Sequence, residues 1–224
     1  PKATLQDMAR SKRSAVWLRE HFQEESVPKA QAAGLRSRAV YKLEELIDRD
    51  HLLKPGINVV DLGAAPGSWS QLVRNRLGDT GKVLALDILP MQSIAGVDFL
   101  QGDFREESVL RELESRLEGQ KLDLVLCDLA PNMSGVALAD QIRAMVLAEL
   151  ALDFSKQWLK PGGSFLIKLF QGAGFDVYLR NLRAEFTRVT MRKPKASRAR
   201  SREVYALAVG RKPSAASPAR TVHE

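Results

Sequence analysis

The apolar positions of this chain change their period several times. Over residues 36–53, Val40, Leu43, Leu46 and Ile47 recur at three- and four-residue spacing, which puts them on one face of a helix. Lys54-Pro55-Gly56 is a stop signal for that helix. From there, short apolar runs alternate with amphipathic stretches. The runs at 58–62, 82–87, 97–100, 122–128 and 164–170 predict strands, and 68–77, 108–117, 139–158 and 175–186 predict helices. Gly78 closes the first of these helices, and Lys160-Pro161-Gly162-Gly163 closes the third. Two more strands are expected at 188–192 and 203–210, joined by a basic loop that suits an antiparallel hairpin. The alternation predicts an α/β fold, a mostly parallel sheet with helices on both faces. Residues 35–213 read as one catalytic domain. Residues 1–34 read as a basic arm with an apolar cluster at Val16, Trp17, Leu18 and Phe22, and 214–224 as a small, polar tail expected to be disordered.

The first strand leads into the most informative segment, Asp61-Leu62-Gly63-Ala64-Ala65-Pro66-Gly67-Ser68-Trp69-Ser70. A strand, a tight small-residue turn and a helix opening let a nucleoside cofactor approach bare backbone. The glycines do not have the dinucleotide spacing G-x-G-x-x-G, so the segment leans away from NAD. Ser68 raises a question, because a positive φ there would be strained. Acids stand at the ends of four consecutive predicted strands: Asp61, Asp87, Asp103 and Asp128. Each alone could be a turn or cap residue. Together they outline a site at the carboxyl edge of the sheet, where ligands bind in such folds. Asp87 is placed to hold ribose hydroxyls, and Asp103 to meet an adenine amine. A negative site disfavours phosphates and suits a sulfonium cation, which points to S-adenosylmethionine. No G-x-x-x-x-G-K-[ST] occurs, which removes the Walker-type nucleotidases.

Charge divides the chain into three parts. Residues 1–42 hold nine Lys/Arg against four Asp/Glu, and residues 180–212 hold eleven against two. The segment between them is acidic, although the whole chain carries +7. Basic flanks around an acidic centre suggest a phosphate-backbone partner, with ordinary solubility as the other reading. The single cysteine, Cys127, excludes an internal disulfide, so a cytoplasmic location is expected. Nothing reads as a secretory signal, and no apolar run approaches membrane-spanning length.

Lys168 lies inside the apolar run Ser164-Phe165-Leu166-Ile167-Lys168-Leu169-Phe170. Such a lysine either snorkels at an edge or points into a site as a base or cation. Glu203, among Arg198, Arg200 and Arg202, either pairs with arginines or belongs to the same site. Lys42 by itself reads as part of a solvated helix face.

At this point the residues match a known pattern. Gly34–Ala39, Val59–Gln71, Gly96–Arg105, Asp128–Gly135, Pro161–Gly172 and Ser197–Tyr205 resemble the FtsJ/RrmJ (RlmE) family of bacterial S-adenosylmethionine-dependent 23S ribosomal RNA 2′-O-ribose methyltransferases, over roughly residues 14–213. The resemblance implies a Rossmann-like class I methyltransferase fold with a seven-stranded sheet and an antiparallel last strand. It implies a Lys-Asp-Lys-Glu tetrad at Lys42, Asp128, Lys168 and Glu203, with Lys168 principal. It puts cofactor contacts at Gly67, Trp69, Asp87, Asp103 and Asp128, and S-adenosylhomocysteine as the product, with no metal. It implies that a uridine in the A-loop is methylated by a monomer on the large (50S) ribosomal subunit, late in assembly. Arg36, Arg38, Arg198, Arg200 and Arg202 would line the RNA groove. A methyltransferase acting on tRNA and a non-catalytic ribosome-assembly factor stay open as alternatives.

Overall fold

The computed structural model describes residues 37, 39–197 and 201–213. The basic arm, the tail, and Arg36, Arg38, Arg198 and Arg200 lie outside the described residues. Helix α1 (Ala39–Asp50) buries the four apolar positions of the periodic stretch, Val40, Leu43, Leu46 and Ile47. It ends before Lys54-Pro55-Gly56, where His51 takes a left-handed φ of 51°. The chain then alternates through β1 (Val59–Leu62), α2 (Ser68–Leu77), β2 (Val83–Asp87), β3 (Asp98–Gln101), α3 (Glu107–Arg116), β4 (Leu122–Cys127), α4 (Ala137–Trp158), β5 (Leu159–Phe170), α5 (Phe175–Glu185), β6 (Phe186–Arg192) and β7 (Glu203–Arg211).

These strands form a seven-stranded sheet of order β3-β2-β1-β4-β5-β7-β6. The first five are parallel, and β7 enters antiparallel between β5 and β6. The fold class is the one the alternation and the resemblance imply. Helices α1 and α2 pack on one face through Val40, Leu43, Trp69 and Val73. Helices α3, α4 and α5 pack on the other through Leu113, Ala148, Phe154 and Leu182. The switch between faces falls at the adjacent strands β1 and β4, so a crevice opens at their carboxyl ends.

Two boundaries differ from the sequence reading for a physical reason. Lys160-Pro161-Gly162-Gly163 was expected to separate α4 from a strand beginning at Ser164. Instead β5 starts directly at Leu159, paired to Leu122, and the Pro-Gly-Gly segment is absorbed as a bulge before Leu124 meets Ser164. Gly162 supplies the positive φ of 84° that the bulge needs, and Lys160 Nζ pins it with bonds of 2.9 Å to both carboxylate oxygens of Asp123. Phe186, expected at a helix end, instead opens β6. Burial decides this, because its ring is enclosed and stacked at 6.3 Å on Phe165.

Candidate active site

The turn after β1 is shaped by two close approaches. Gly63 has φ +84°, and a Cβ there would lie 2.7 Å from the Leu129 amide nitrogen. Only a glycine lets the β1 turn lie against the segment leaving β4. Gly67 takes φ 102° and precedes the first residue of α2. Ser68 is therefore an ordinary helical residue, and the suspected strain is absent. Its buried hydroxyl lies 2.7 Å from the Ser37 hydroxyl, which ties α2 to the chain entering α1. The Trp69 indole is buried and donates to the Ala39 carbonyl at 2.9 Å. What Trp69 can offer a ligand is its main chain, in the first helical turn, where N–H groups lack intrahelical partners.

The acids at the strand ends prove to have different surroundings. Asp87 closes β2 and is held by two backbone donors, Ala65 N–H to Oδ2 at 2.9 Å and Leu89 N–H to Oδ1 at 2.8 Å. Each oxygen keeps a lone pair for a ligand hydroxyl. Asp103 follows β3 and is clamped by Arg105, whose Nη2 lies 2.5 Å from Oδ2. That bond outweighs burial and holds the carboxyl below its ordinary range. Arg105 as its partner was not apparent from sequence. Asp61 is different again. It sits inside β1, wholly enclosed, with Oδ2 accepting the Ser70 hydroxyl at 2.6 Å. It underlies the site and does not line it. The exposed Ile88 and Leu89 form an apolar lip beside Asp87, another feature missed in sequence. A signal was present there, two large apolar residues immediately after a strand-ending acid.

Lys42, Asp128, Lys168 and Glu203 come together as two linked pairs. Register explains the first. Cys127 of β4 pairs with Ile167 of β5, and Lys168 pairs with Tyr205 of β7. Asp128, Lys168 and Tyr205 thus become lateral neighbours where the strands end. Lys168 Nζ donates to the Asp128 carbonyl at 2.6 Å and lies 3.0 Å from its carboxylate Oδ1. The Tyr205 hydroxyl donates to the same Oδ1 at 3.1 Å. In the second pair, Lys42 on α1 donates to Glu203 at 2.6 Å, and the Ser197 hydroxyl adds a bond at 3.2 Å. Burial pushes the Glu203 carboxyl up, but the Lys42 charge and hydrogen bond together with the Lys168 charge hold it below its ordinary value.

Tyr205 joins the two pairs, and no sequence signal had marked it. Its ring is buried, 5.9 Å from the Trp69 ring, with Lys42 Nζ 6.0 Å from its centroid. Burial, then the Asp128 charge, push the phenol well above its ordinary range, so it stays a donor.

The basic flank is only partly free. Arg192 is committed to Asp50 through an ion pair at 2.5 Å, and Arg202 donates to the Gln171 carbonyl at 2.5 Å. A separate cleft of about 770 Å³ opens at the amino ends of β1 to β4. Four of its charges pair as Lys82–Glu118 and Arg116–Asp98, Arg74 in its lining is spent on the backbone carbonyls of Gly81 and Gly96, and it lies at the opposite strand ends from the lysine–aspartate cluster. Among the described residues, no group of three or more His, Cys, Asp or Glu could hold a metal ion, and no helix is long and apolar enough to cross a membrane.

The FtsJ-like methyltransferase family matches residues 35–211. The chain belongs to that family. Among curated relatives, it is 64% identical to the ribosomal RNA large subunit methyltransferase E of Stenotrophomonas maltophilia (strain K279a), over 91% of this chain and 97% of the relative. It is 57% identical to the protein of the same description from Xylella fastidiosa (strain M23), over 91% and 96%. Among solved structures, a chain described as a ribosomal RNA methyltransferase from Plasmodium falciparum superposes with a TM-score of 0.71 at 29% identity, covering 80% of this chain and all of the other. A Clostridium thermocellum structure at 17% identity and a TM-score of 0.53 shares the fold. Family membership makes the protein a methyltransferase and agrees with the Rossmann-like architecture.

Proposed function

We propose that this methyltransferase moves a methyl group from S-adenosylmethionine to the ribose 2′-hydroxyl of a uridine in the A-loop of 23S ribosomal RNA, on the large ribosomal subunit. The observation that carries the reaction type is Lys168. Its ammonium has three donors, and Asp128 takes two of them. One donor is left for an oxygen that becomes negative as it attacks.

The carboxyl edge fits the cofactor. Gly63 and Gly67 open the backbone, Asp87 presents two oriented oxygens to a ribose diol, and Ile88 and Leu89 offer an apolar wall to a base. The first turn of α2 offers N–H groups to a carboxylate. Asp103 and Asp128 complete the acidic rim. When bound, the cofactor supplies an electrophilic methyl on a sulfonium, which leaves a neutral thioether.

The residues of the chain then do the rest. Lys168 steers the 2′-oxygen and stabilises the developing alkoxide, and the hydroxyl proton leaves to solvent as the oxygen takes the methyl. Asp128 holds Lys168 in place, and Tyr205 holds Asp128 through its hydroxyl. Lys42 and Glu203 place the acceptor ribose. Alignment of the two reactants alone is worth about 7–11 kcal/mol of the barrier. On this reading residues 35–213 are the catalytic domain of a monomer working in the bacterial cytoplasm. The arm at 1–34 and the residues Arg36, Arg38, Arg198, Arg200 and Arg202 engage RNA. The ribosomal acceptor is supported by the description that the curated relatives share.

The test is a map of ribose methylation in RNA from cells lacking the protein, paired with transfer assays on unmethylated large subunits and on tRNA. Loss of one A-loop mark, restored by the purified protein on the subunit alone, is the expected result. Transfer to tRNA with no effect on the subunit would overturn the acceptor. Absence of transfer to any RNA would leave an assembly factor as the better reading.

A further inference from the structure

We propose that Asp61 is a proton-coupled positioning residue, which in the free protein holds its proton on the acid side of neutrality and gives it up as the cation-bearing cofactor seats on the turn between β1 and α2. This rests on reading the carboxyl edge as the cofactor site. Asp61 is fully enclosed, yet it lies in the strand that feeds that turn. Its Oδ2 accepts the Ser70 hydroxyl at 2.6 Å, and its Oδ1 has no hydrogen-bond partner among the described residues. Ser70 stands in the first turn of α2, three residues after Gly67.

The charged groups that act on Asp61 are anionic, Asp128 after β4 and Asp87 at the end of β2. On β4, the neighbouring Cys127 thiol is pushed up to about 12 by burial and stays neutral. On α2, Ser70 is uncharged. The cation of the cluster, Lys168 on β5, is engaged by Asp128. Burial first, then these two carboxylates, push Asp61 up to about 7, against the Ser70 bond that pulls it down. A ligand bringing a sulfonium and an ammonium between Asp87 and Asp128 offsets their field and favours the charged form of Asp61. As a carboxylate, Asp61 accepts the Ser70 hydroxyl in a stronger, charge-assisted bond. The first turn of α2 is then drawn onto β1 at the moment it is needed to hold the ligand.

The sign follows from linkage. If binding favours the deprotonated form, binding releases a proton wherever free Asp61 is protonated. The Asp61 contribution to affinity then rises by up to about tenfold per pH unit on the acid side of 7 and levels off above it. The experiment is a calorimetric titration of the full chain with S-adenosylmethionine, in pairs of buffers that differ in ionisation heat. Close to one proton released at about pH 6 is expected, falling through zero between about pH 7 and 8 as uptake by the ligand's own amine takes over. Below pH 7 the amine of the ligand itself remains protonated, since amines of that type titrate near 7.7–8.0.

Asp61→Asn mimics the neutral form, so it should approach wild-type affinity at acid pH, bind about 100-fold more weakly at alkaline pH and release no proton at any pH. Ser70→Ala removes the bond that favours the carboxylate, so it should move the release to higher pH. It serves as the second probe if the Asn variant does not fold. Binding by wild type without proton release below pH 7, or equal release by Asp61→Asn, overturns the inference while leaving the cofactor site in place. No binding heat from wild type at all overturns the cofactor reading, and the inference falls with it.

Discussion

Replacing Lys168 by methionine separates chemistry from binding. Methionine keeps an unbranched stem in the apolar part of β5 and removes the ammonium, leaving Asp128 bonded to the Tyr205 hydroxyl. Lys168 is only 9% exposed and spends two donors on Asp128, at 2.6 and 3.0 Å. On the proposed reading its third donor serves the acceptor oxygen. Loss of one donor aimed at a developing oxyanion costs roughly 2.7–4 kcal/mol, about 10² to 10³ in kcat. The lost bonds to Asp128 cost about 1–3 kcal/mol of stability, or a few degrees in Tm for a domain of this size. Cofactor affinity should stay within about threefold, because Gly67, Asp87 and the first turn of α2 are untouched and Asp128, though it loses Lys168, keeps its bond from Tyr205. The assay is single-turnover transfer of labelled methyl groups to unmethylated large subunits, beside calorimetric cofactor binding and a melting curve. A kcat within about fivefold of wild type would refute the role given to Lys168. So would parallel loss of cofactor binding, which would make Lys168 a prop of the cofactor site.

Other perturbations test other parts of the arrangement. Tyr205→Phe removes the 3.1 Å bond to Asp128 and keeps the ring beside Trp69; hydrogen bonds to charged groups are worth about 1.5–3 kcal/mol, so kcat should fall about 10- to 100-fold with little change in cofactor affinity. Gly63→Ala sets a Cβ 2.7 Å from the Leu129 nitrogen at φ +84°; it should cost at least about 1–3 kcal/mol, and an unchanged melting curve would contradict the close approach. Glu203 has a folded-state pKa held below its ordinary 4.5, so its contribution is present above that value and is lost as pH falls through the folded value. In acid melts, Glu203→Gln should therefore be less sensitive to pH than wild type below about pH 4.5. Asp61 has the opposite sign: its folded pKa of about 7 exceeds the ordinary 3.8, so its burial increasingly destabilises the fold as pH rises from about 4 to 7, by roughly 4 kcal/mol in all. Asp61→Asn should flatten that part of the stability profile, and an unchanged slope by chemical denaturation would argue that Asp61 is ionised throughout.

Much of this protein was legible in the order of its residues. Period and punctuation are local properties, so alternating runs and glycine stops revealed the elements and the fold class. The acids at the strand ends and Lys168 could be placed at one edge because parallel strands present their carboxyl ends together. Tertiary structure decided the partnerships. Lys42 and Glu203 stand far apart in sequence, each with a bland reading of its own, and only the packing of α1 beside β7 makes them a pair at 2.6 Å. Tyr205 had no role readable from its own position in the chain, and strand register put its hydroxyl on Asp128. The four strand-end acids share one position in the sequence pattern, which does not give their surroundings. The fold buried Asp61, clamped Asp103 with Arg105, oriented Asp87 with two backbone amides and gave Asp128 to Lys168. The reason is physical: a carboxyl takes its charge state and its role from the donors and solvent around it, and those are supplied by distant parts of the chain.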